Sequence, residues 1–316
     1  MLCIIMESHD PFFNLAVEEL LLKNRKEEYC ILGINQPVVI IGKHQSAHRE
    51  VNTRFIIEND LPVIRRISGG GTVYHDTGNL NFTFIRQSEP GKQVDFLKYT
   101  RPVIDFLSSF GVETRFEGKN DLKVNGLKIS GNAEHVHRNR VLHHGTMLFS
   151  TSFDMLRNSL RKDASCYTSR AVKSNPSSVT NLKESLPMFS DIFEFRSAMM
   201  NYFLQSLPET ETYELSERDR EEAESLVDSK YKTWEWNWAY GPEYHFINRF
   251  EEGGRQIFCR LSVRDGIIRE CLVEGTLEQS AAGLKLIGCR HMVSDMLRVF
   301  EKENVFIDEK QIFNFF

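Results

Sequence analysis

The run Arg65-Arg66-Ile67-Ser68-Gly69-Gly70-Gly71-Thr72-Val73-Tyr74-His75-Asp76 concentrates residue types that handle anions. Three consecutive glycines remove every Cβ from a stretch of backbone, so its N–H groups can come close to a ligand. Two arginines immediately upstream offer fixed cationic forks matched to phosphate or carboxylate. No Gly-Lys-Ser/Thr follows, so this is not a Walker loop, and the glycine spacing is not a Rossmann fingerprint. A bare triple glycine would read as a flexible loop with surface arginines. The arginine pair before it and the strand pattern after it favour a site for a phosphate-bearing nucleotide.

A second candidate lies at Asn125-Gly126, a strong two-residue hairpin signal. It predicts Val124 opposite Leu127, Lys123 opposite Lys128, Leu122 opposite Ile129 and Asp121 opposite Ser130. The apolar residues then share one face, with Asp121, Lys123, Lys128 and Ser130 on the other. Like charges directly opposite are unfavourable unless an anion sits between them or one side chain swings into solvent. Lys128, beside Ser130-Gly131, would reach a carboxylate and a phosphate together and stabilise the charge that develops in acyl-adenylate formation. From the hairpin alone, both lysines read as solvated strand residues. In His143-His144-Gly145-Thr146, adjacent strand residues point to opposite faces, which argues against a two-histidine metal centre and leaves one imidazole per face. Ser169-Arg170-Ala171-Val172-Lys173-Ser174 has the small, polar, charged composition of a surface loop, solvated or closing over a phosphate.

The elements that must position these residues follow from periodicity. Asp10-Pro11 supplies an N-cap and an N1 proline, and Phe13, Ala16, Val17, Leu20 and Leu21 recur at helical spacing. Val38 to Ile41 reads as a strand. Leu80, Phe82 and Phe84 alternate with Asn79, Asn81 and Thr83, which predicts a strand with one buried face. Val141 to Phe149 is strand-like, Val103 to Phe110 and Ile192 to Leu207 are helical, and Ser216 to Lys230 is a charged helix opened by a capping box. Texture changes at Trp234, Trp236 and Trp238 and the Tyr240-Gly241-Pro242 turn. A strand, an Asp265-Gly266 turn, a second strand and a helix carrying Val293, Met296, Leu297 and Phe300 follow. These place a boundary near residue 246, dividing the chain into 1–246 and a smaller piece, 247–316.

Composition narrows the field. The chain has 316 residues, 41% hydrophobic and 26% charged, with 23 Phe against nine Tyr. That length hides roughly three quarters of the unfolded surface without staples. A formal net charge of −5 argues against a nucleic-acid partner or an anionic membrane surface. No apolar run of about 18 residues is present, and the first residues lack the basic region of a signal peptide. Cysteines 3, 30, 166, 259, 271 and 289 show neither metal spacing nor a disulfide framework, which fits a reducing cytoplasm.

Taken together, RRISGGGTVYHDTGNLNFTF (65–84), NDLKVNGLKISGNA (120–133), LHHGTML (142–148) and SRAVKSNPSSVTNL (169–182) resemble the lipoate–protein ligase family, with FFNLAVEE (12–19) and WEWNWAYG (234–241) in support. The resemblance implies an α/β (α+β) fold: a mixed-sheet catalytic domain like those of biotin ligases and class II aminoacyl-tRNA synthetases, over 1–246, and a small α+β accessory domain over 247–316. It implies that lipoate and ATP, with Mg²⁺, give lipoyl-AMP, and that the lipoyl group passes to a lysine of the lipoyl domains of 2-oxoacid dehydrogenase complexes or of the glycine cleavage H protein. Carried over by position, Arg66 and Gly71, Thr72, Val73 and Tyr74 resemble the ATP and lipoyl-AMP contacts. Lys128 resembles the family lysine that touches the lipoyl carbonyl and the α-phosphate. His75 and His144 match the lipoate pocket, Arg170 and Lys173 the adenylate loop, and Asp121 is a candidate Mg²⁺ ligand. Asn175-Pro176-Ser177-Ser178 departs from the more basic run of many relatives. RRISGGG differs from the GRGRxG loop of biotin ligases, which disfavours biotin. An octanoyltransferase of the same fold, acting through a thioester at Cys166, is the nearest rival. A transferase using preformed lipoyl-AMP and a non-enzymatic acyl- or nucleotide-binding regulator are further ones.

Overall fold

A computed structural model describes residues 1–88, 94–303 and 310–316. In chain order the strands are β1 (Leu2–Ile5), β2 (Tyr29–Ile34), β3 (Val38–Ile41), β4 (Val63–Arg65), β5 (Val73–His75), β6 (Asn79–Gln87), β7 (Arg115–Glu117) and β8 (Asp121–Val124). Then come β9 (Leu127–His137), β10 (Arg140–Leu148), β11 (Tyr167–Ser169), β12 (Glu211–Thr212), β13 (Tyr244–Glu252), β14 (Arg255–Arg264) and β15 (Ile267–Glu274). The helices are α1 (Pro11–Asn24), α2 (Ala47–Glu50), α3 (Thr53–Glu58), α4 (Phe96–Ser109), α5 (Phe153–Ser159), α6 (Ile192–Ser206), α7 (Glu217–Leu226), α8 (Leu277–Lys285) and α9 (Val293–Lys302).

The chain forms two compact units. The first comprises Met1–Lys43, Pro62–Arg157 and Ser174–Lys232, the second His44–Leu61, Asn158–Lys173 and Thr233–Phe316. Residue 246, where the sequence texture places a boundary, falls inside β13. The tail from Thr233 thus shares its unit with two earlier segments, which a linear reading of composition does not reveal.

In the first unit an eight-stranded mixed sheet runs β12-β1-β2-β6-β10-β9-β8-β7, and a three-stranded sheet runs β4-β3-β5. The alternation in β6 buries Leu80, Phe82 and Phe84 in one core with Phe106 of α4, Phe149, and Phe195 and Phe203 of α6. Much of the phenylalanine surplus is therefore core. The opposite side of the same strands carries Thr83 and His144, which stand directly opposite one another in the β6–β10 register. Helix α1 begins as its sequence predicts: the Asp10 carboxylate accepts from Phe12 N at 2.9 Å and Pro11 occupies the first turn. At its other end the Arg140 guanidinium donates to the Leu21 and Leu22 carbonyls, both at 2.8 Å, and to those of Arg25 and Glu27. One side chain so satisfies carbonyls that a helix end leaves without partners.

The Asn125-Gly126 hairpin forms with both turn residues at positive φ, 51° and 77°, as a type I′ turn demands. Val124 faces Leu127 and Lys123 faces Lys128, but the register then slips by one residue, so that Leu122 faces Ser130 and Asp121 faces Gly131. The expected Leu122–Ile129 and Asp121–Ser130 pairs are corrected by this bulge. Its physical reason is burial: Ile129 and Ser130 are both fully enclosed, so Ser130 does not join the solvent-facing set.

In the second unit a sheet ordered β11-β13-β14-β15 is covered by α8 and α9. Asp265 and Gly266 make the predicted turn, both at positive φ. His48 of α2 packs 4.7 Å from Trp238, 4.7 Å from His291 and 5.1 Å from Phe316. The Cys166 carbonyl accepts from Ile247 N at 2.9 Å. No helix among the described residues is long and apolar enough to cross a membrane.

Candidate active site

The glycine loop leaves β4 with its arginines turned inward. Arg65 is fully buried, and its Nη1 donates to the Gly42 and Lys43 carbonyls, both at 3.1 Å. Its fork is thus engaged by backbone and is not one of two anion clamps, as the sequence pattern had it. Arg66 is the organiser of the loop: Nε donates to Ser68 Oγ at 2.9 Å, and Nη2 to the Gly69 and Gly71 carbonyls at 2.6 and 2.7 Å. With those carbonyls pulled toward one guanidinium, the loop has a fixed shape. Burial pulls the Arg66 pKa down to about 10, which leaves it charged at neutral pH. Gly70 takes φ of +85°, a conformation that L side chains rarely adopt. Ser174 Oγ closes the far side, accepting from Thr72 N at 2.9 Å.

β5 carries the chain from the loop into the three-stranded sheet, where Val73, Tyr74 and His75 pair with Ile40, Val39 and Val38. His75 Nδ1 stands 3.0 Å from Asn35 Nδ2, so it accepts, and the ring proton lies on Nε2, which has no hydrogen-bond partner among the described residues. Burial, then the charges of Arg66 and His144, push its pKa down to about 3, and the imidazole is neutral.

His144 sits on the face predicted for a single site histidine. Its Nδ1 is 2.9 Å from Glu18 Oε2 and its Nε2 is 2.6 Å from Ser68 Oγ. Thr83 donates its hydroxyl to Glu18 Oε1. With Glu18 accepting at Nδ1–H, the Ser68 hydroxyl donates to Nε2 and its oxygen receives Arg66 Nε–H. A continuous line therefore joins α1, β10 and the glycine loop. The Ser–His–Glu order resembles a nucleophilic relay. Yet Ser68 is fully enclosed and its oxygen already holds Arg66, so the line serves to fix the loop. His143, on the other face, stands 2.9 Å from Glu134 Oε1 and 3.2 Å from Asn132 Oδ1, away from this group.

Lys128 reaches the same site by way of β9. Gly131 and Ala133 are two residues apart and so share a face of that strand. Lys128 Nζ lies over Gly131, 2.9 Å from where a Cβ would stand, and a Cβ on Gly70 would be 3.8 Å from that of Ala133. The loop and the lysine thus converge on one strip of β9. The backbone at Lys128 is held on its outer side, since Lys128 N donates to the Ser178 carbonyl at 2.9 Å and Thr180 N to the Lys128 carbonyl at 3.0 Å. Asp121 Oδ1 is 2.8 Å from Lys128 Nζ. Lys123 is not simply solvated: its Nζ is 2.9 Å from Glu117 Oε2.

Arg170 and Lys173 belong to the second unit, and Ser174, the next residue, to the first. Cys166 also lies in the second unit, and burial raises its thiol pKa, which disfavours the thiolate that a thioester route needs. Among the described residues no group of three or more His, Cys, Asp or Glu could hold a metal ion. Asp121 offers one hard oxygen ligand, enough for a cation that arrives mostly coordinated by phosphate and water. Sequence reasoning missed Glu18, Asn35 and Gly42. Glu18 lies in the quoted FFNLAVEE stretch, but a helix glutamate beside apolar residues ordinarily reads as solvent-facing.

A family model described as lipoyl protein ligase A/B catalytic domain matches residues 10–204. Lipoate–protein ligase 1 of Staphylococcus aureus is 38% identical over 290 residues, covering 89% of this chain and 88% of that one. Among solved structures, a bi-partite lipoate protein ligase of Thermoplasma acidophilum, studied with its E2 lipoyl domain, superposes with a TM-score of 0.65 at 27% identity, covering 75% of this chain and 95% of that one. A lipoate–protein ligase A bound with ATP gives a TM-score of 0.63 at 26% identity, covering 75% and 98%. These comparisons define an enzyme of the mixed α/β ligase fold, in agreement with the motif resemblance. The chain belongs to the lipoate–protein ligase family.

Proposed function

We propose that the chain joins lipoate and ATP into lipoyl-AMP, releasing pyrophosphate, and then transfers the lipoyl group to a lysine amine of a lipoyl domain, releasing AMP. The observation that carries this reading is the convergence on β9 of a glycine loop moulded by Arg66 and a strand lysine, Lys128. Arg66 fixes the shape of the loop and lends its charge from behind it, and the backbone from Gly71 to Tyr74 holds the phosphates and nucleoside. Lys128 offsets charge as the lipoate carboxylate oxygen bonds to the α-phosphorus and the bond to pyrophosphate breaks. Mg²⁺, held by Asp121 and the phosphates, supplies further charge neutralisation when bound. Neither step needs a protein nucleophile, because position and charge suffice.

His75 and His144 flank the acyl group, and the tail from Thr233, with the two earlier segments of its unit, serves as the accessory domain. The acceptors are lipoyl domains of 2-oxoacid dehydrogenase complexes or the glycine cleavage H protein, and the compartment is the cytoplasm. Incubation with lipoate, ATP and Mg²⁺ should release pyrophosphate and add one lipoyl group to a lipoyl-domain acceptor, read by mass spectrometry. Absence of pyrophosphate would leave only the transfer of preformed lipoyl-AMP.

A further inference from the structure

The cation assigned to the reaction has a carboxylate partner within the protein itself. Lys128 and Asp121 form an ion pair at 2.8 Å with both side chains 21% exposed, shielded enough for the pair to persist. Three features built into the hairpin produce it. The one-residue bulge moves Asp121 from opposite Ser130 to opposite Gly131. Gly131 has no side chain, and Lys128 folds back across it: a Cβ there would stand 2.9 Å from Nζ and 3.0 Å from Cε, and within 4 Å it would meet nothing else. Lys123, which shares the face, is drawn off by Glu117 at 2.9 Å, so each lysine of the facing pair has its own carboxylate.

We propose that Asp121 and Gly131 form a latch for Lys128, which holds the ammonium over Gly131 until the divalent cation that accompanies the nucleotide takes up the Asp121 carboxylate. A free carboxylic acid arriving alone exchanges one carboxylate partner of Lys128 for another and gains little. A metal–nucleotide complex brings a cation for Asp121 and a polyanion for Lys128, replacing one ion pair by two. The latch therefore favours nucleotide before acid. Asp121 acts through Lys128 and is a positioning residue. What the lysine is delivered to rests on the adenylation reading; the latch itself does not.

The test is the rate at which an amine-acetylating reagent modifies Lys128 in the full chain, read by peptide mass spectrometry with Lys123 as internal reference. Asp121→Asn and Gly131→Ala should each raise the Lys128:Lys123 ratio by roughly threefold or more, since the reagent acylates an amine lone pair and a lysine outside an ion pair presents it more often. Gly131 is not at positive φ, so alanine fits its backbone and displaces only the lysine. Nucleotide should protect Lys128 from labelling in wild-type protein only when Mg²⁺ is present, whereas in Asp121→Asn it should protect without the metal. An unchanged ratio in both variants overturns the latch, and protection of the wild type by nucleotide alone overturns release by metal. Failure of pyrophosphate release would count against the adenylation reading and leave these labelling results intact.

Discussion

Gly42 and Gly70 meet backbone to backbone: a Cβ on Gly42 would stand 2.2 Å from the Gly70 carbonyl oxygen and 3.1 Å from its carbon. The atom in the way is main chain, so it cannot rotate aside. Gly42→Ala should force the loop outward at a cost of about 1–3 kcal/mol. Denaturant unfolding should show that loss, and pyrophosphate release should fall further than stability does. A variant with wild-type activity would mean that the loop shape is not needed.

Lys128→Ala removes a partly exposed ion pair, worth at most about 1 kcal/mol. The unfolding midpoint should hardly move while adenylation falls by roughly a hundredfold or more. Wild-type-like pyrophosphate release would refute the role assigned to this lysine.

Ser68→Ala should be costlier to the fold than its size suggests. It strands Arg66 Nε and His144 Nε2 in a buried setting, a loss of about 1–3 kcal/mol. Turnover should drop because the carbonyls that Arg66 gathers are no longer fixed, whereas a nucleophile's loss would abolish it. Trapping of an acyl group on Ser68 by mass spectrometry would contradict the scaffold role.

His75 makes the fold acid-sensitive. Its folded pKa of about 3 lies below the ordinary 6.5, so below about pH 6.5 the unfolded chain takes up a proton that the folded one refuses. The stability it contributes is complete above pH 6.5 and is lost as pH falls toward 3. His75→Asn, which keeps an acceptor for Asn35, should reduce the slope of unfolding free energy against pH by up to about 1.4 kcal/mol per unit in that window. Parallel curves for the two proteins would show that His75 protonates equally in both states.

Cys166→Ala should leave ATP-dependent lipoylation intact, because burial raises that thiol's pKa and the site's cations lie on other residues. Loss of all transfer to the acceptor would point instead to the thioester route.

How far the sequence was legible depends on the range of the interaction. Arg66, the glycine run and the Asn125-Gly126 turn act within a few residues, so their types alone announced a loop and a hairpin. The split of His143 and His144 followed from strand alternation. The bulge beyond Lys123 did not show, since Ile129 and Ser130 carry no turn residue, and what shifts the register is burial on both sides. Arg65 and Arg66 look alike in sequence, yet one holds the Gly42 and Lys43 carbonyls and the other organises the loop. Only the packing of β3 against β4 separates them. Glu18 became a site residue only once β10 placed His144 beside it, 126 positions away.

The second unit draws on residues 44–61, 158–173 and 233–316, and that has an evolutionary corollary. A recombination event that swapped the tail between two relatives would import Trp238, His291 and Phe316 without the His48 that packs among them. It would likewise import β13 without the β11 strand that completes its sheet edge. Such a tail cannot be inherited as a cassette. Its drift has to be matched by compensating changes deep inside the preceding sequence, so the three stretches should descend together.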